Sequence, residues 1–534
     1  MTPIPQAAHD AWRALLGKSA VLVGTDIPSR LGTDTSTSSR RISAVLQVSS
    51  AEQLPELMQI AQTHRVKVHP VSTASNWGYG GALPADQDIT LIDLSRLNRI
   101  IDFDTRLGVV TVEPGVTQGM LADFLDAGSH AYMVPVTGAG PNVGLLSNAL
   151  ERGYGITPYT DHFGAITDLE AVLADGSLYR SALREAGSDE LARLFKWGIG
   201  PYVNGLFTQS GFGVVTRMSI LLARRPEMIK VCLFNLADEA LLEPAIERIQ
   251  ELLRTLPATV GGLNLMNRHR VLAMTAPYPA AKHLDSDGLI PPEMIATLGR
   301  QYQIPPWTGF ATLYGRARVV KAAQKEIRHL LRGVASRLLF LSPQHARWIT
   351  NIAQRLPGAP GEKLKRTANT LNGAMELVQG RPNETALPLV YWRSRITQPD
   401  TGRDPSRDRC GLLWYAPLVP MRPEDIRRFV DFALPIMREH GLEPLVTLTS
   451  QGDRLFDSTI PLLFDLQDAH ASQAAQHCLA RLTEQGQALG FYPYRLHVDA
   501  MRAHAERHPT SSQFIRRLRS AIDPDDLLAP GRYT

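Results

Sequence analysis

Residues 134–176, VPVTGAGPNVGLLSNALERGYGITPYTDHFGAITDLEAVLADG, constrain this chain more than any other stretch. Gly138, Gly140, Gly144, Gly153 and Gly155 fall within 18 residues, interleaved with the pairs Glu151–Arg152 and Asp161–His162. Without a Cβ, such positions can take positive φ or let another group touch the main chain. Backbone N–H groups gathered in this way form a concave donor surface suited to a phosphate or to the polar edge of a ring. Gly138 and Gly140 begin a dinucleotide fingerprint. The third glycine, however, comes four residues later rather than three, and a proline-rich turn stands where a strand should lead in, which excludes a nicotinamide-binding Rossmann unit.

A chain of 534 residues exceeds one comfortable core, so two domains are expected. Hydrophobic content of 44% and charged content of 20% suit a globular protein. A net charge of +4, with no basic tract interleaved with aromatics, gives no nucleic-acid role. Cys232, Cys410 and Cys478 are odd in number and far apart, which suggests neither a disulfide framework nor a metal site and fits a reducing compartment. The N-terminal residues lack a basic segment followed by an apolar run, and no stretch is long and apolar enough to span a bilayer. A cytoplasmic protein without a membrane segment is expected.

Taken in order, the pattern predicts a helix over 9–16, strands over 20–24 and 44–48, and a Ser-capped helix over 54–64. Residues 66–71 alternate as a strand and run into STASNWGYGGA (72–82), a hydroxylated, glycine-rich loop that presents N–H and O–H donors to a diphosphate. Strands over 89–94 and 109–112, a helix over 118–127 and a strand over 218–222 complete the N-terminal part. Its elements lack a regular βαβ period, so an α+β domain is predicted. From about residue 226 the texture changes. Strands are expected over 229–236, 388–393 and 411–417, helices over 239–254, 293–302, 321–336 and 424–440, and a loop-rich piece over 355–384. The expected second domain is an antiparallel sheet with helices on one side.

Together these motifs resemble the flavoproteins related to vanillyl-alcohol oxidase and p-cresol methylhydroxylase. The resemblance rests on NWGYGG (76–81), NALERGYGITPYTDH (148–162), WGIGPY (197–202) with GVVT (213–216), and the tail residues Asp523, Pro524 and LAPGR (528–532). It implies an FAD-binding domain built from both chain ends (1–225, with 490–534 returning to the cofactor and substrate) and a central cap (226–489). By the same resemblance Ser72, Thr73, Ser75, Asn76, Gly78, Gly80 and Gly81, with Gly138, Gly140 and Asn148, would hold the diphosphate. Tyr159, Asp161, His162 and the Gly213–Val214 backbone would lie along the flavin, and Gly153, Gly155 and Arg532 would belong to the same cofactor site.

The family implies para-substituted phenols as substrates, with the phenol oxygen held by two tyrosines and an arginine; Tyr79, Tyr494 and Arg495 match them. An ionised phenol pushes electron density to its para carbon, so hydride can leave the attached benzylic carbon. A permanently charged guanidinium and two phenolic donors suit that anion. The expected activity is therefore benzylic hydride removal through a quinone methide. The rivals are a hydroxy-acid or polyol dehydrogenase and an electron-transfer subunit with a cytochrome partner.

Two departures from the family pattern matter. The cap segment 452–458, where members tether the flavin through His or Tyr, has neither, and Ser75 replaces another family's anchoring histidine, which predicts non-covalent FAD. Val136 and Thr137 stand where oxidase-like members carry an acid, leaving Asp453 and Asp457 as candidate bases. Tyr391, Trp392, Trp414 and Tyr415 are expected to shape the pocket. A homodimer, oxygen or a redox protein as electron acceptor, and no metal complete the expectations.

Overall fold

The computed structural model describes residues 4–355 and 358–534. Near the N-terminus Ser50 and Gln53 form a capping box. Helix Leu54–Thr63 follows, burying Leu54, Leu57, Met58 and Ala61 at helical spacing. It covers a four-stranded sheet ordered Val21–Leu22, Ile42–Gln47, Ile89–Asp93, Val68–Val71, whose last three strands are parallel. Parallel strands are buried on both faces, which is why residues 89–92 are all apolar or fully buried. The C-terminal tail joins this layer: Val68 N–H donates to Leu527 O (2.8 Å) and Ala529 N–H to Val68 O (2.7 Å). Beside it lies a five-stranded antiparallel sheet ordered Ile100–Asp104, Val109–Val112, Val214–Leu221, Ile166–Val172, Leu178–Arg180.

The largest sheet draws on residues 228–493. Its order is Arg337–Leu341, Met228–Leu236, Trp307–Gly315, Val260–Asn267, Thr447–Gln451, Leu455–Phe464, Pro417–Pro420, Tyr492–Pro493, with Gly411–Tyr415 also paired to Leu455–Phe464. Side chains alternate across it with period two. One set, including Phe234, Leu263, Leu265, Ala311, Leu448 and Phe456, packs into the largest core. Helices Leu242–Thr255, Ala317–Leu330, Pro423–Glu439 and Ala469–Ala488 contribute the apolar stripes that meet it. The fold is α+β, with antiparallel strands dominating the central part.

Two expectations for the central region are corrected. The piece expected to be loop-rich contains helix Gly358–Val378, which buries Ala368, Met375 and Val378 at helical spacing. Residues expected as a strand over 388–393 form the 3₁₀ turn Leu387–Tyr391, with Pro388 in its first turn, where a missing N–H costs nothing. Strands Trp307–Gly315, Thr447–Gln451 and Leu455–Phe464 were not anticipated; one face packs into the core and the other lines the cavity or is itself buried, so they lack the apolar–polar alternation of a solvent-facing strand. No helix among the described residues is long and apolar enough to cross a membrane.

Candidate functional site

The second face of the large sheet and the loops of the N-terminal part enclose a cavity of 2060 Å³. Single-ligand pockets span roughly 300–1,000 Å³. This one has room for a cofactor and a substrate together.

The lower wall is mostly backbone. It comprises parts of the loops 69–81, 136–156 and 207–215 with Ala529 and Arg532 from the tail. Three of its non-glycine residues, Ala74, Gln209 and Ala529, have φ of +59°, +47° and +47°. Such conformations cost of order 1–3 kcal/mol each and persist only where the surroundings impose them. Hydroxyls fasten the loops to one another: Ser72 Oγ donates to Pro114 O (2.6 Å) and Gly144 N–H donates to Thr73 Oγ1 (3.2 Å). At Gly155 a Cβ would stand 2.1 Å from Val136 O, and at Gly153 2.0 Å from Asn148 Oδ1. These two glycines are required because adjacent turns of chain lie in direct contact.

At one end of the cavity the C-terminal segment brings three side chains together. Tyr494 N–H donates to Ala416 O (3.3 Å) and Val498 N–H to Tyr79 O (3.1 Å), so the segment bridges the large sheet and the 72–82 loop. A buried pair anchors it, His497 Nε2 to Asp34 Oδ2 at 2.9 Å. The Arg495 guanidinium lies 4.3 Å from the centre of the Tyr79 ring, and both side chains act on the neighbouring Tyr494 hydroxyl. Arg495 also donates to Asn76 Oδ1 and faces Glu151 Oε2 at 3.6 Å, while Glu151 Oε1 accepts from Arg532. Burial opposes the Arg495 charge, but Glu151 and the neighbouring phenols outweigh it and raise its pKa. Burial is the main cause that pushes both tyrosines up, so each stays a neutral O–H donor.

The ceiling is a pair of cross-strand rows fixed by register. Phe310, Asn264, Thr449 and Asp457 are successive partners across four strands, and so are Thr308, Met266, Thr447 and Thr459; all eight line the cavity. Asp457 sits at the Tyr79–Tyr494 end. Burial pushes its pKa up to about 7, against a hydrogen bond from Thr459 Oγ1 (2.8 Å), and its Oδ1 has no partner.

Of the residues singled out from sequence, Ser72, Thr73, Ser75, Asn76, Tyr79, Gly81, Gly138, Asn148, Gly153, Gly155, Gly213, Tyr494, Arg495 and Arg532 line this one cavity. Gly78 and Gly80 sit just behind it, against the Trp414 indole and Val498, and Gly140 faces Leu387. His162 is buried behind Asn148, whose Nδ2 lies 2.5 Å from its Nδ1; burial lowers its pKa to about 4. Tyr159 is 40% exposed, Asp161 accepts from Gly164 N–H at the surface, and Val214 is in the core. Asp453 pairs with Arg254 on an outer turn. Of the four aromatics expected to shape the pocket, Trp414 alone lines it. Tyr391 donates to Asp408, Trp392 to Ala276 O, and Tyr415 is in the core. Sequence reasoning missed Glu151 as the counter-charge, having paired it with Arg152, which instead donates to Thr208 Oγ1. It also missed Asn264, Arg270 and Thr449. No local motif marks these; strand pairing brings Asn264 and Thr449 together, and the helix that follows the Asn264 strand carries Arg270.

Residues 42–182 match the family model for an FAD binding domain. The chain is 32% identical to 1'-carboxy-chondrochloren decarboxylase of Chondromyces crocatus, over 99% of this chain and 97% of the relative. It is 25% identical to the 4-cresol dehydrogenase [hydroxylating] flavoprotein subunit of Pseudomonas putida, over 98% and 94%. The chain belongs to the p-cresol methylhydroxylase family of FAD-binding flavoproteins. A crystal structure of p-cresol methylhydroxylase with substrate bound shares its fold, with a TM-score of 0.86 at 24% identity over 99% of this chain and 96% of that one. The protein is thus an FAD-dependent oxidoreductase. Its lower wall fits the cofactor: backbone is accessible along the glycine loops, and two lining residues, His69 at Nδ1 and Tyr154 at Oη, have buried polar atoms without partners. Burial first, and Arg532 second, lower the His69 pKa to about 3, so it meets a ligand uncharged.

Proposed function

We propose that the enzyme oxidises para-substituted phenols at the benzylic carbon. The cluster of Tyr79, Tyr494 and Arg495 at one end of the cavity carries this reading. A phenol oxygen placed there meets two neutral O–H donors and a buried cation, an arrangement that stabilises phenolate over phenol. Asp457, with a pKa of about 7 and a free Oδ1, is placed to take the phenolic proton or to pass it to solvent. Bound FAD supplies the acceptor for the benzylic hydride. In this reading residues 72–81, the 138–148 loop and Arg532 would hold its diphosphate, Gly153, Gly155 and Gly213 would face its ring, and no side chain would tether it. The chain divides near residues 226 and 489 into cofactor and cap parts. Electrons pass on to oxygen or a redox protein.

A second reading, oxidative decarboxylation, is favoured by the relative named as a decarboxylase and by the wall beside the glycine cluster, where Val136 and Thr137 offer no carboxylate to activate water. If the carbon next to the benzylic one carries a carboxylate, the quinone methide can lose CO₂. The C–COO⁻ electron pair then forms the side-chain double bond, and the ring electrons return to the phenolic oxygen.

Anaerobic titration with 4-alkylphenols and 4-hydroxyphenylalkanoates, following flavin absorbance and headspace CO₂, tests both readings. Bleaching by either class, abolished in Tyr494→Phe, supports benzylic oxidation. CO₂ released in proportion to bleaching selects the second reading, and no bleaching by any phenol rejects both. Acid precipitation of the protein shows whether the flavin is free.

A further inference from the structure

Arg270 is the third residue of helix Arg268–Thr275, and its side chain lines the cavity. Its Nε and Nη1 are buried without a hydrogen-bond partner, and among the described residues it forms no ion pair. The carboxylates that line the cavity are committed or remote. Glu151 is held by Arg495 and Arg532, Asp457 stands two strands away at the Tyr79–Tyr494 end, and Asp400 is exposed. A cation at a helix N-terminus faces the wrong end of the dipole, and an unpaired buried charge is costly. Among the described residues no side chain offsets these costs. Burial lowers the guanidinium pKa to about 10, which leaves it charged at neutral pH.

The position fits a substrate group. Strand Val260–Asn267 leads directly into this helix, and Asn267 Oδ1 accepts from Arg270 N–H (3.0 Å), fixing the turn. That strand is separated from the Asp457 strand by one intervening strand, about 10 Å away at 4.8 Å per spacing. The unpartnered cation is thus displaced from the phenol-binding end along the same ceiling. Between them Asn264 presents a buried Oδ1 that also lacks a partner.

We propose that Arg270 binds a carboxylate on the para side chain of the substrate, so that the enzyme acts on phenolic acids. This assignment rests on the phenol site at Tyr79, Tyr494 and Arg495. One end of the cavity then holds the phenol oxygen beside a compensated cation, and the other holds the acid on an uncompensated one. A planar guanidinium can meet a carboxylate with two parallel N–H donors, which a neutral amide cannot exploit equally.

Dead-end probes separate binding from turnover. 4-Hydroxycinnamate and 4-hydroxycinnamamide have no saturated benzylic carbon and are close in shape, but the acid carries a charge and two acceptor oxygens where the amide is neutral with one. Their dissociation constants for the FAD-loaded enzyme are read from the perturbation of the flavin spectrum. The acid is expected to bind about 10- to 100-fold more tightly than the amide, the range of a charge-assisted hydrogen bond to a buried partner. Arg270→Met and Arg270→Gln should bring that ratio near one, and Arg270→Lys should restore part of it. Equal binding of acid and amide by the wild type, or a ratio that survives Arg270→Met, overturns the proposal. So does a flavin spectrum altered by Arg270→Met without ligand while the ratio persists, which assigns Arg270 to the cofactor. If neither probe binds, or Tyr494→Phe weakens neither, the phenol site fails instead. Melting temperatures and flavin content show that the variants remain folded and loaded.

Discussion

The two walls of the cavity are made of different materials. The lower wall is main chain, brought close by glycines and held by hydrogen bonds between side-chain hydroxyls and backbone, and its chemistry is that of backbone donors. The ceiling is side chains on one face of an antiparallel sheet, and its chemistry depends on which residues the register makes neighbours. A backbone wall suits an invariant cofactor. A side-chain ceiling can change substrate without disturbing the fold, because its opposite face carries the core.

The contrast is broken most severely at the junction of the walls. Arg495→Met should lower kcat/KM for a phenolic substrate by about 100- to 1,000-fold, as for loss of a charge-stabilising donor, with FAD content retained. Steady-state kinetics with parallel flavin spectra decide it; loss of FAD in this variant would mean that the junction belongs to the cofactor. Next comes the lower wall itself. Gly155→Ala forces a methyl toward Val136 O, and a cost of roughly 1–3 kcal/mol is expected from such overpacking. The measurements are bound FAD per chain and melting temperature, and an unchanged holoenzyme would show that close loop contact is dispensable.

Asp457 sharpens the ceiling. Its pKa rises from about 3.9 in the unfolded chain to about 7 in the fold. Between those values the folded state binds more protons, so stability is fully present below about pH 4 and falls as pH rises through about 7. Asp457→Asn should remove that dependence, gaining up to about 4 kcal/mol relative to wild type above pH 7. Denaturant midpoints at pH 5 and pH 8 test this, and the limb near pH 7 in kcat/KM should vanish with it. His162 behaves oppositely. Its pKa is lowered to about 4, so its contribution is present above about pH 6.5 and is lost as pH falls through about 4. His162→Gln should flatten acid destabilisation in that window. The smallest effect belongs to Thr449→Val on the ceiling: a change of less than about 1 kcal/mol in stability, with substrate affinity altered a few-fold and FAD content unchanged.

The same division explains what could be read in advance. The 72–81 and 134–176 loops are contiguous in sequence, and glycine spacing is the direct trace of close backbone contact; most of the residues singled out there line the cavity. Tyr494 and Arg495 were found through a short motif, FYPYR, in the returning C-terminal segment. The ceiling left no such trace. Thr449, Asn264 and Phe310 lie far apart in the chain and meet because three strands pair in one register. Tyr391, Trp392 and Tyr415 were misplaced for the same reason: aromatic side chains suggest a pocket, but which way they point is set by neighbours.

The amino-acid sequence by itself determined the glycine-rich loops, the α+β class and the trio Tyr79, Tyr494 and Arg495, because these depend on local backbone freedom and short motifs. Only the tertiary structure decided that Glu151 balances Arg495, that Asp457 joins the Tyr79–Tyr494 end, and that Arg270 has no counter-charge among the described residues. Charge balance in a buried site is a property of neighbours in space, and neither composition nor spacing along the chain carries it.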